Sequence, residues 1–444
     1  MDEARTTQVR GGVGHFVGRS PWVFFSNSFG STGVGSFTTF QSAPTLTTYL
    51  KDQFDPANPI GTGTDNPDDP TLRRGMAFND DKIKLPAVWR ASFAVDHKLK
   101  LLNSMFSVEA VYSKVDQALF IKNENLKPLA GALSADGRAR FSGAPSAQTF
   151  NSLGPIAPLG GNALYPAFTD LYHASNVSVG KSTYVTMSWD RPMKDNWAFN
   201  VAYTRGRSTE AQANGQTTAD GYWQRNVVFN QSKVEEGRSD FEIRDRIQIS
   251  LTRDVEFIKK WKTTTSLYYE GRSGNPFSWV YNQDLNGDGR NNQDTVAVPS
   301  GSTDPRFDFS GMTSTQVDNY LTFIQKSGLV KYAGGIAPKN AFYEPWVNRL
   351  DLKLVQQIPI HGSAKLSLYF DFINFGSFIS KKTFGFTEIV GALSNDVFRT
   401  RSLGGAAYAA DGRIKPTFTA TPAAFVIDNT LSRWRIQVGA KLTF

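Results

Sequence analysis

The stretch SRWRIQVGAKLTF, Ser432 to Phe444, decides the fold because its residues change character at every step. Trp434, Ile436, Val438, Ala440, Leu442 and Phe444 share one phase, while Arg433, Arg435, Gln437, Gly439, Lys441 and Thr443 share the other. Successive side chains of a strand point to opposite faces, so this segment has a wholly apolar face and a polar, cationic one. Tilted by about 45°, a strand of roughly 9 to 11 residues crosses a bilayer as part of a barrel. The segment reads as a spanning strand of a bacterial outer-membrane protein.

The same alternation returns along the whole chain. Its apolar phases include Trp89, Ala91, Phe93, Val95; Phe106, Val108, Ala110, Tyr112; Thr183, Val185, Met187, Trp189; and Trp197, Phe199, Val201, Tyr203. Further on come Ile247, Ile249, Leu251; Thr263, Thr265, Leu267, Tyr269; Leu350, Leu352, Leu354; and Leu366, Leu368, Phe370, Phe372. No position in these sets is charged, whereas the intervening positions include Arg90, Glu109, Arg246, Arg349, Asp351 and Lys353. An Arg or Lys facing lipid at the midplane costs roughly 2 to 4 kcal/mol, so confinement of charge to one phase is the mark of a membrane strand.

Connection lengths alternate as well. Short ones fall near 98–103, 190–196, 254–262 and 357–363; long ones run near 20–88, 123–181, 206–242, 271–344 and 375–431. With a further strand over 8–17, blurred by Gly11, Gly12 and Gly14, about ten strands are expected. The fold class is all-β: an antiparallel up-and-down outer-membrane β-barrel with short periplasmic turns and long extracellular loops. A soluble sandwich also alternates, yet Greek-key connections give no reason for every second loop to be long. An open sheet would leave unpaired edges in lipid, so the chain either closes as a small barrel or forms the carboxy-terminal part of a larger one.

Composition narrows the function classes. No run of eighteen apolar residues exists, which excludes a spanning helix. With no cysteine there are no disulfides or thiolate metal sites. The net charge of +8 comes from dispersed Lys and Arg, so nucleic acid is not expected as a partner. His15, His97, His173 and His361 have neither metal-ligand nor triad spacing, and GGVG near Gly11 lacks the lysine of a phosphate loop. No enzymatic activity is expected. The opening MDEARTTQVRGGVGHFVGRS shows no charged region followed by an apolar one, so no export signal is read in residues 1–444.

Several stretches carry a resemblance: VRGGVGHFVGRSPWVFFSNSFGSTG (Val9 to Gly33), LPAVWRASFAVDHKL (Leu85 to Leu99), YYEGRSGNPFSWVYNQDLNGDGRNNQD (Tyr268 to Asp294), LYFDFINFGSF (Leu368 to Phe378) and the terminal strand. Together they resemble the carboxy-terminal barrel of TonB-dependent receptors of the Oar-like group, over essentially the whole chain. That resemblance implies a barrel of about 22 strands filled by an amino-terminal plug. It further implies a TonB box, and capture and import of a ligand across the outer membrane of a Gram-negative bacterium. No plug or TonB box is recognised in 1–444, so the TonB complex would be reached only through a further amino-terminal part. Phe444 resembles the aromatic end that outer-membrane proteins present to their insertion machinery, and outer-membrane lipid is the other expected partner. A self-closing structural or adhesive barrel and a soluble β-rich carbohydrate-binding protein stand as the rival readings.

One loop carries metal-like spacing. Asp284, Asn286 and Asp288, followed by Gly289, place oxygen donors at alternate positions as in a tight calcium loop over residues 284–295. Thr295 stands where such a loop carries a bidentate Glu, and Asp294, one residue early, is the candidate substitute. A metal-free Asx and Gly turn fits the same residues. Trp89, Trp189, Trp197, Trp261, Trp346 and Trp434 lie near strand ends, as expected of membrane interfaces. Trp223, Trp279 and Tyr281, in the long loops, are expected to stack on a small-molecule or oligomeric ligand.

Overall fold

Alternating residues pair into a continuous ladder in the computed structural model, which describes residues 6–19, 26, 28, 74–129, 134–141, 164–165, 168–213, 218–231, 233–388 and 399–444. Ten strands form its path: β1 (Thr7–Val17), β2 (Ala87–Leu99), β3 (Ser104–Asn123), β4 (Gly180–Lys194), β5 (Trp197–Glu210), β6 (Asp245–Ile258), β7 (Trp261–Arg272), β8 (Val347–Pro359), β9 (Lys365–Ile373) and β10 (Arg435–Thr443). Each pairs antiparallel with the next in chain order. The sheet is open, since β1 and β10 do not pair with each other.

Register keeps the two phases apart across every junction. Val9, Val95, Val108, Met187, Tyr203 and Ile247 are successive cross-strand partners from β1 to β6. Phe199, Leu251, Leu267, Leu352, Phe372 and Ile436 continue the same face from β5 to β10. These side chains are not a core: Val13 is 77%, Phe93 57% and Val438 65% exposed. A contiguous apolar surface of this extent is unsustainable in water, and in an outer-membrane barrel it is the lipid face.

Charge does occur on this phase, beyond the apolar sets read from sequence, but only at its ends. Lys114, Lys181, Arg205, Arg207 and Asp245 stand at the loop end, and Arg253, opposite Trp197, stands at the turn end. From Trp197 to Arg205 the strand climbs about 26 Å at ~3.3 Å per residue, or about 20 Å along the membrane normal at ~40° tilt. That height approaches the roughly 25 Å apolar band of such barrels.

The short connections are tighter than the sequence spacing suggested. Lys194 pairs with Trp197 around Asp195 and Asn196, both with positive φ (54° and 65°), the backbone of a two-residue hairpin turn. Ile258 pairs with Trp261 around Lys259 and Lys260. Near these turns Trp189 donates from Nε1 to Ser104 Oγ at 2.8 Å, and the Arg191 guanidinium lies 4.0 Å from the Trp197 ring centre. Trp189 presents an apolar body and a tethered polar edge, and Trp197 a ring face capped by a cation, as the interface demands.

The long loops build structure of their own, which departs from a purely antiparallel meander. Arg74–Asn79 pairs parallel with Phe168–Val177, which extends the outer end of β3. Pro276–Tyr281 pairs parallel with Thr400–Tyr408. Two apolar cores result. One gathers Trp279, Val296, Tyr320, Leu403 and Ile414; the other gathers Leu119, Ile121, Phe141, Tyr172 and Trp223. The protein's densest packing therefore lies outside the membrane.

The face assignment is tested at Leu352, mid-belt between Leu267 and Phe372. Leu352→Arg is expected to destabilise the membrane-inserted sheet by about 2 to 4 kcal/mol, whereas Gln357→Arg on the opposite phase costs well under that. Urea titration of the protein in lipid vesicles reads the difference; equal costs on both phases would place the bilayer elsewhere.

Candidate functional site

The 284–295 loop is the junction at which the outer loops meet. Its turn is drawn by Asp284, whose Oδ1 accepts from Gly287 N at 2.7 Å and Asp288 N at 3.1 Å, and whose Oδ2 accepts from Gly289 N at 2.8 Å. Gly287 and Gly289 have φ of 77° and 91°, which residues with a Cβ adopt at a cost. Asn286 Oδ1 accepts from Asp288 N at 2.9 Å, and its Nδ2 donates to Asp288 Oδ2 at 3.1 Å. Asp294 Oδ2 accepts from Leu285 N at 2.8 Å. All four residues named from the spacing, Asp284, Asn286, Asp288 and Asp294, thus come together, and all are buried.

Arg138, which no motif singled out, supplies the loop's counter-charge. Fully buried, it donates from Nη1 to Asp294 Oδ1 and from Nη2 to the Thr295 carbonyl, both at 2.5 Å. It also packs 4.7 Å from the Phe229 ring centre. A single arginine in a long loop carries no local pattern; only the fold brings Arg138 to Asp294, 156 residues away in sequence. Further ties converge here: Phe141 N donates to the Asn286 carbonyl at 2.7 Å, and Arg290 Nη2 donates to Tyr172 Oη at 3.1 Å. Segments from the 123–181 and 206–242 loops are thereby fastened to one turn of the 271–344 loop.

Burial sets the electrostatics of the turn. Desolvation, with repulsion from Asp294, raises the Asp284 carboxyl to about 7, against the pull of three backbone N–H groups. Asp288 is likewise raised by burial and by its acidic neighbours. Among the described residues, no group of three or more His, Cys, Asp or Glu stands in a metal-holding arrangement. The histidines stay apart in separate contacts: His15 with Asp116 at 3.0 Å, His97 with Thr7 Oγ1 at 2.8 Å, and His173 with Glu124 at 3.2 Å.

The aromatic residues expected to stack on a ligand do something else. Trp223, Trp279 and Tyr281 are each 1% exposed and belong to the two loop cores. Withdrawing one from its core would forfeit roughly 1.5 to 3 kcal/mol of burial, more than a stacking contact of about 1 kcal/mol returns. Alternation reports a face only within a strand, so in loops an aromatic residue's burial was not legible. None of the three lines the cavity of about 260 Å³ bounded by Phe229, Glu235, Glu236, Thr295, Ile336 and Lys339. Its Glu235 carboxyl is raised by burial, and the Lys339 Nζ stands 3.4 Å from Asn226 Oδ1.

Below the loops, the sheet's second face carries matched charge. Arg10 meets Asp96 at 2.9 Å and Glu109 at 3.4 Å, Arg246 meets Glu270 at 2.7 Å, and Lys353 meets Asp371 at 3.0 Å. Such rows suit an aqueous or plugged interior, opposite an uncharged belt. A family model described as Outer membrane beta barrel domain matches residues 2–376. The chain belongs to that family. Its place is the outer membrane of a Gram-negative bacterium, and the exposed apolar face meets the lipid of that membrane. No match was found among curated proteins.

Two measurements address the loop. Because Asp284 holds its proton to about 7 when folded and to about 3.8 when exposed, folding of the turn takes up a proton. Stability is fullest at acidic pH and declines as pH rises across that interval. Hydrogen-exchange protection of Gly287, Asp288 and Gly289 in chelator should accordingly weaken from pH 4 to pH 7; a flat profile would contradict the buried carboxyl. Any calcium-dependent shielding of the loop from protease, the expectation read from its spacing, should be abolished by Asp288→Ala. Identical cleavage with and without calcium leaves a metal-free Asx turn.

Proposed function

We propose that this chain is the carboxy-terminal barrel segment of a TonB-dependent, Oar-like receptor whose outer loops capture a ligand for import across the outer membrane. The observation that carries the reading is the open sheet: the outer edges of β1 and β10 have no strand partner among the described residues. In hydrocarbon each unpaired peptide group costs several kcal/mol, so both edges call for further strands. The ion-paired second face supports an interior that water or a plug fills, and the cavity beside the 284–295 turn supports ligand capture from outside. Coupling to the TonB complex would run through the amino-terminal part of such a receptor, and the terminal strand would engage the insertion machinery. No catalytic role is part of this reading.

The rival within the same family is a barrel of ten strands that closes on itself and serves a structural or adhesive role. Engineered cysteines separate the two, since the native chain has none. Gly12 has open space at its Cβ position and Gly439 meets nothing closer than Tyr369 at 4.0 Å, so both accept the replacement. Gly12→Cys is combined in turn with Gln437→Cys, Gly439→Cys or Lys441→Cys and oxidised in native outer membranes. No intrachain disulfide is expected of a segment in a larger barrel. Efficient closure of any pair would establish a ten-stranded barrel and remove the import reading.

A further inference from the structure

We infer that the outer rim of β3, β4 and β5 binds the phosphate of a phosphorylated glycolipid headgroup in the outer leaflet. Lys114 on β3 lies directly opposite Lys181 on β4. Directly opposed like charges destabilise a strand pair, because their Cβ atoms stand only about 5 Å apart. On the neighbouring strand, Arg207 and Arg205 follow on the same phase, opposite Thr183 and Val185. Lys181 itself faces Thr209 on β5, so Arg207 lies on its diagonal at about 7 to 8 Å.

The cations are incompletely neutralised. Among the described residues, Lys114 and Arg207 are exposed and have no carboxylate within ion-pair distance. Lys181 reaches only Glu236, at 3.8 Å, with its side chain 57% exposed. Asp116, the acidic residue closest in sequence to Lys114, is held by His15 at 3.0 Å. Arg205 alone has a close partner, Asp245 at 2.7 Å.

Position then selects the ligand. All four cations lie on the lipid-facing phase at the loop ends of their strands: Lys114 follows Tyr112, Lys181 precedes Thr183 and Val185, and Arg205 and Arg207 follow Tyr203, where the apolar belt ends. A charge at belt depth would cost about 2 to 4 kcal/mol, whereas at headgroup level the cost falls to about 0 to 1. A partner reaching them sideways must itself lie in the outer leaflet. Guanidinium binds phosphate through paired N–H donors and ammonium adds a point charge, so a phosphate fits the set. Trp89 and Tyr112, 51% and 43% exposed, flank the cluster and offer flat faces to the sugar that bears it.

The experiment uses the full chain purified from outer membranes in mild detergent, with lipid A bisphosphate, dephosphorylated lipid A and inorganic phosphate as probes. Native mass spectrometry reads the retained lipid. Wild-type protein is expected to hold lipid A bisphosphate in preference to the dephosphorylated form, and K114Q/R207Q to lose it by at least about tenfold. Removing like charges relieves repulsion, so these variants are expected to fold; K114Q alone is a second, milder variant, expected to give a smaller loss. K98Q/K100Q, at the opposite rim, is the control and should retain the lipid. Equal retention of both lipid A forms, or undiminished retention in K114Q/R207Q, overturns the proposal. Displacement by millimolar inorganic phosphate would assign the cluster to a free anion and overturn the lipid as well.

Discussion

The hydrocarbon of a membrane accepts no unpaired peptide group, and everything else in this protein is arranged around that constraint. Each of the ten strands satisfies its neighbour over nearly its full length, and turns such as Asp195–Asn196 add no residue beyond what reversal needs. With the backbone committed to the ladder, side chains have only two places to go. Period-two alternation sends one set to lipid and the other to water, and a one-residue slip anywhere would exchange them. Register is therefore held by solvent on both sides at once, more strongly than in a sheet with one wet face.

Above the belt the constraint vanishes and a different physics takes over. The long loops are free to pair parallel, to form short helices and to bury aromatic residues, and they assemble two cores of the kind found in water-soluble proteins. What fastens them is Arg138. Its guanidinium and the three buried carboxyls of the 284–295 turn leave a local excess of negative charge, which the turn meets by holding protons more tightly. A buried charge without its partner costs about 3 to 5 kcal/mol, so the pair of Arg138 and Asp294 locks the loops in one arrangement even where it adds little net stability.

Lipid and interior faces also differ in how they treat charge. On the interior face opposite signs meet across strands, as Arg246 and Glu270 do. At the outer rim of the lipid face, like signs meet instead, as Lys114 and Lys181 do. Matched rows need no ligand; a like-charged pair stands against its own repulsion and is stabilised by an external anion.

Fold class was legible in residues such as Trp434 to Phe444 because strand alternation is local: each residue's face follows from its neighbours' chain positions. The ten strands, their order and the apolar belt follow from that rule and from alternating loop lengths. The turn of Asp284, Asn286 and Asp288 was legible for the same reason, since its geometry is set within a few residues. Burial of Trp223, Trp279 and Tyr281, and the pairing of Arg138 with Asp294, were not, because both depend on contacts between loops far apart in sequence. Local periodicity determined which residues meet the membrane, and only the tertiary structure decided which loop residues are core and which line the cavity, since packing in three dimensions leaves no period in the chain.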